Sequence, residues 1–179
     1  MLVNDNKLET DAFLNLNNDI YRIITLLNSC EELKRMLVYT DKRPLEDYDV
    51  KNRKTLKELG VKSIADYDCR DKQICRVPLL PANEEDGSIV VVSAISGDAL
   101  FESKTIRTTL AIDVFTPGNQ WIINEGIRPL QIAHIINNLL KYKLDQTGGI
   151  KYRLTNFVNA QLSDVLLGYR LIFDSVIDD

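Results

Sequence analysis

Side chains suited to chemistry are few in this chain and far apart in sequence. The single histidine, His134, sits in an apolar-periodic stretch, with no nucleophile spaced to use it as a general base. Cys30, Cys69 and Cys75 could offer thiolates. Cys69-x5-Cys75 with a lone histidine, however, lacks structural-zinc spacing and a fourth ligand. Asp113, Asp174, Asp178 and Asp179 could present oxygens to a divalent cation, although isolated carboxylates at strand ends are usually just solvated. Gly148-Gly149 alone is no phosphate loop. The basic run Lys51, Arg53, Lys54 and Lys57 could face a phosphate or an acidic partner, with a solvated helix face as the plainer reading. The expectation is no catalytic residue, no cofactor and no metal, and a function that rests on surfaces.

Composition narrows the class. With 179 residues, 45% of them hydrophobic and 27% charged, the chain is expected to be one domain over 1–179, with a charge-dense surface insert at 41–74. A formal charge of −4 argues against nucleic acid as the main partner, because phosphate binding needs a basic face. An odd cysteine count fits free thiols in a reducing compartment. No apolar leader and no apolar run of 18 residues is present, so neither secretion nor a membrane span is expected.

The elements come from periodicity. Ile106, Thr108, Leu110, Ile112 and Val114 alternate along a strand over 104–115, which the turn Thr116-Pro117-Gly118-Asn119 stops. From Arg128 the period changes to 3.6. Leu130, Ile132, Ala133, Ile135, Ile136, Leu139 and Leu140 share one broad face of a helix reaching Tyr142, with Pro129 in its first turn. Upstream, a helix from Leu14 or Asn18 to Leu27 is followed by a second one, with Ser29 and Glu32 as a capping box, ending before Pro44. Residues 52–59 suit a short helix closed by Gly60. A short edge strand is expected over 74–80, since prolines bound it. The β-branched run 88–95 is a strand buried on both faces, or on one face with a partner on the other. It pairs antiparallel with 104–115 around a loop at 96–103, with Gly97-Asp98 at its apex. Two more strands, 150–158 and 166–177, close the chain. The order α-α-insert-β-β-β-α-β-β predicts an α+β fold, a mostly antiparallel sheet with helices on one face.

Three blocks carry a resemblance. Leu37-Val38-Tyr39-Thr40-Asp41-Lys42-Arg43-Pro44-Leu45, after an amphipathic helix, is similar to the LLYY(T/N)DKxPL signature of small tailed-phage virion proteins. The second block runs from Ile106 to Leu140: Leu110-Ala111-Ile112-Asp113-Val114, then Trp121, then Ile127-Arg128-Pro129-Leu130-Gln131-Ile132-Ala133-His134-Ile135 opening the helix. The third block runs from Phe157 to Val176, where Leu167-Gly168-Tyr169-Arg170-Leu171-Ile172-Phe173 resembles the closing GGYxLxF strand, with Leu167 in place of its first glycine. The blocks cover about two thirds of the chain and leave out residues 46–72.

The resemblance to the neck and tail-terminator family of tailed bacteriophages implies a structural virion protein. Such a protein forms a homo-oligomeric ring, hexameric or larger, that caps the tail tube and joins it to the head-side connector. It is made in the host cytoplasm and placed in the virion, and DNA passes through its bore without specific binding. Val90, Val92, Arg107, Phe115, Trp121 and Arg128 are then expected at interfaces. Strands 88–95 and 104–115 would touch the next subunit, and the turn 116–121 and loop 96–103 the tube or connector. Arg107 and Arg128 could bridge to acidic groups of a neighbour, or be solvated or paired within the chain. A head-closure or adaptor ring, or a non-viral small adaptor domain, are the alternatives.

Overall fold

A computed structural model describes residues 5–46, 56–76, 87–100, 105–142 and 151–176, with no side-chain description at 5–13, 15, 97–100 and 105–107. The chain runs α1 (Asp5–Asn28), α2 (Glu31–Val38), β1 (Ile74–Cys75), β2 (Ile89–Leu100) and β3 (Thr105–Pro117). It continues through β4 (Ile122–Ile123), β5 (Gly126–Ile127), α3 (Arg128–Tyr142), β6 (Lys151–Gln161) and β7 (Leu166–Val176). Five strands form one sheet in the order β1-β2-β3-β7-β6, antiparallel except for the short β1–β2 join. The three helices pack on one face, so the fold is α+β with a mostly antiparallel sheet.

The alternation read from the sequence explains the core. Val90, Val92, Leu110, Ile112, Val114, Leu171 and Phe173 point to the helix layer. There they meet Ile23 and Leu27 of α1, Leu33, Met36 and Leu37 of α2, and Ile132, Ile136 and Leu140 of α3. The opposite residues of the same strands, Ile89, Val91 and Phe115, form a smaller cluster with Leu166 under Ala160 and Leu162. The β-branched run is thus buried on both faces by this chain itself.

Several expected boundaries are corrected. α1 begins at Asp5 rather than at Leu14 or Asn18. No proline or glycine interrupts residues 5–28, so a helix nucleated on the buried stripe can propagate back through polar residues. The capping box is absent: Cys30 is the N-cap of α2 with no side-chain bond, and Ser29 Oγ donates instead to Leu26 O at 2.7 Å. Residues 96–100 are strand, not loop, because pairing with β3 carries on past Gly97↔Thr108 and Asp98↔Arg107 to Leu100↔Thr105. A one-residue irregularity at Ile95 absorbs the change of register. Of the strand expected at 74–80, Ile74–Cys75 is seen at the sheet edge, and 77–80 lie outside the described residues.

The region 41–74 contributes to the core where it is described. Ile64 and Cys69 are buried with α1 and α2, and Leu45, Leu56, Leu59 and Tyr67 pack against them. Gly60 closes its turn as expected: Gly60 N–H donates to Lys57 O and Val61 N–H to Leu56 O, with Gly60 at φ +72°. Where it is described, the helix expected at 52–59 is turn over 56–60, and its earlier residues lie outside the described ones.

Candidate functional site

Arg128, the first residue of α3, is fully buried. Its Nε donates to Gln120 O at 3.0 Å and one terminal nitrogen to Met36 O at 3.0 Å. The same nitrogen also reaches Tyr39 O, and the other reaches Asp41 O. Met36 and Tyr39 belong to the last turn and C-cap of α2, where carbonyls lack helical partners and carry partial negative charge. The guanidinium fork suits this cluster, since it presents donors in several fixed directions. Asn124 N–H adds a bond to Lys42 O at 2.9 Å. The segments around 36–42 and 120–128 are thereby locked together. Burial pulls the Arg128 pKa down to about 10, opposed by nearby Asp41 and Glu125, so the group stays charged at neutral pH.

The end of the sheet beside Trp121 is built differently. Trp121 Nε1–H donates to Thr116 O at 3.0 Å, which lays the half-buried indole over the sheet. Its ring lies 6.2 Å from that of Tyr169, and Tyr169 lies 6.2 Å edge-on from Phe157. Phe157 is 57% exposed and the adjacent Val158 43%, on opposite faces of β6. Ile122 and Ile127, paired across β4 and β5, are also exposed. On the face away from the helices Asp113 and Arg170 form a bidentate pair at 2.7 and 2.8 Å, directly across β3 and β7. Asp174 accepts from Thr109 Oγ1 at 2.7 Å on the same pair of strands.

The family model of YomW matches residues 31–175. The chain belongs to the YomW family. YomW is phage-derived, from a prophage of the SPbeta type. Its match opens on the first residue of α2 and closes one residue before the end of β7, so α1 alone among the elements lies ahead of it. The Arg128 lock, the aromatic end and all of the sheet but Val176 fall within the matched span. No curated protein and no solved structure matches the chain.

The sheet places the residues expected at interfaces as follows. Val90 and Val92 lie in the helix-side core and Phe115 in the smaller cluster, each at most 4% exposed. They give a neighbour no surface, because the helices and the 160–166 turn already cover these positions. Arg128 bonds backbone carbonyls of its own chain, so it bridges to no acidic group of a neighbour. Trp121 remains partly exposed in the aromatic end. Arg107 is placed in β3 opposite Asp98, and its side chain lies outside the description. Phe157, Val158 and Tyr169 were missed as surface candidates. Their signal is the adjacent pair Phe157-Val158: neighbours on a strand take opposite faces, so both cannot enter one core.

The groups suited to chemistry stay apart. His134 is exposed on α3, with Nε2 at 3.0 Å from Asn138 Nδ2. Cys69 is fully buried, and desolvation pushes its thiol up to about 12; burial also raises Cys75. Asp113 and Asp174 are taken up by Arg170 and Thr109, while Asp178 and Asp179 lie outside the described residues. Among the described residues no group of three or more His, Cys, Asp or Glu could hold a metal ion.

Proposed function

We propose that this chain is a structural virion protein of a tailed phage, a tail-terminator or neck ring that caps the tail tube and joins it to the head-side connector. Membership of a phage-derived family supports a phage setting. The observation that carries the finer reading is the element order: two helices, three strands, a helix, then two strands, all three longer antiparallel pairings in one sheet. That is the order the resemblance to tail terminators implies. The small β4–β5 hairpin is an addition between β3 and α3.

The chemistry of the surface is compatible with a DNA conduit. Six copies at −4 would place −24 on a ring, which repels a phosphate backbone passing through it. Titration of salt against duplex DNA is expected to give weak binding with little salt dependence. Tight binding that collapses with added salt would contradict this reading. The location is tested on particles. Antibody against the chain should label one ring per virion at the head–tail junction in electron micrographs. Label spread along the tail, on the head shell or absent from virions would overturn the proposal.

A further inference from the structure

The strand order leaves two sheet edges, and the two are complementary. β6 is the outermost strand, and no further strand lies beside its eleven residues among those described. Soluble proteins usually guard such an edge with charge or proline. β6 has no proline, and its only charges, Lys151 and Arg153, stand at its start. Residues 154–161 are uncharged and present Phe157 and Val158 to solvent. At the opposite edge β1 pairs with β2 only at Val90 and Val91, so residues 92–100 have β3 on one side and no described strand on the other.

Strand direction decides how these edges can meet. β2 and β7 run one way, β3 and β6 the other. A second copy related by rotation about an axis along the strands keeps those directions, so β6 of one copy meets β2 of the next antiparallel. Such a contact joins different surfaces on the two copies, and it closes into a ring when the rotation from copy to copy divides a full turn. Antiparallel pairing also brings the basic start of β6 to the far end of β2, where the only charge is Asp98, already opposite Arg107 of β3 in its own chain. With Arg153 opposite Asp98, the irregularity of β6 at Thr155 falls within one residue of that of β2 at Ile95, so the two edges bend together.

We propose that copies of this chain assemble by strand addition, β6 of one pairing antiparallel with residues 92–100 of β2 of the next. This rests on the ring reading given above. The test measures the mass of the purified full-length chain in solution, alone and with isolated tail tubes, for wild type and charge-swapped variants. Arg153→Glu and Asp98→Arg should each leave a folded monomer. An equimolar mixture of the two should regain the wild-type mass, with the copies alternating, because each joint then has one charge of each sign. Phe157→Asp should also be monomeric, with an unchanged circular dichroism spectrum. Rings that persist in all three variants would overturn strand addition and leave the ring reading intact. Failure of the mixture to assemble, or a wild-type mass that stops at two copies, would overturn it too. A wild-type chain monomeric both alone and on tubes would overturn this inference and the ring reading together.

Discussion

Two regions of this molecule treat their polar groups in opposite ways. At the junction of α2 and α3 a buried arginine donates to four backbone carbonyls of its own chain. Along the outer edge of β6 a row of backbone donors and acceptors, with Phe157 and Val158 between them, faces no described strand. The contrast separates residues that hold the fold from residues free to meet something else. The first two blocks of the phage resemblance converge on the locked junction, and the third, Phe157 to Val176, takes in the end of β6 and all of β7. Arg128 is therefore explained by folding, whereas Phe157 and Val158, exposed on β6, are left for contact.

The contrast breaks most readily at Arg128. Arg128→Ala removes four hydrogen bonds and strands carbonyls in a buried site, and should cost about 4 kcal/mol in denaturant unfolding. A loss under about 1 kcal/mol would mean that the junction is held elsewhere. Gly168→Ala should come next, near 3 kcal/mol, since a Cβ there would lie 1.7 Å from Val114 O on the neighbouring strand. Arg170→Ala leaves the carboxylate of Asp113, 6% exposed, without its bidentate partner. A cost of about 2 kcal/mol is expected, discounted because the arginine itself is half exposed. Smallest of all, Phe157→Ser should change monomer stability by less than about 0.5 kcal/mol, because the ring is mostly in water already. A loss beyond about 2 kcal/mol would move Phe157 from the contact surface into the fold.

The alkaline limb sharpens the same division. Cys69 keeps its proton to about pH 12 in the folded chain, whereas an ordinary thiol loses it near 9.0. Its folded pKa is raised, so its contribution is intact below pH 9 and is lost as pH climbs from there toward 12. About 1 kcal/mol should be gone by pH 10. Cys69→Ala should reduce the loss between pH 9 and 10, leaving the smaller share of Cys75, read as the slope of unfolding free energy against pH.

Much of the fold was legible because alternation and the 3.6 period are local signals. β3, α3 and the β6–β7 pair followed from them, as did the hairpin between β2 and β3. What stayed hidden depended on distant partners. Ser96-Gly97-Asp98 reads as a turn by composition, yet pairing with β3 makes it strand. Arg128 reads as a surface cation because arginines usually are, and the fold alone gathers the carbonyls that bury it. Val90 and Val92 carry no mark to distinguish a core shared with helices from one shared with a neighbour.

The central claim is that this chain works by meeting copies of itself, and its mass in solution tests that most directly. Sedimentation of the full chain, alone and with tail tubes added, should yield a species of six or more copies of the 20.4 kDa subunit. A single subunit mass at every concentration, unchanged by the tubes, would contradict the account.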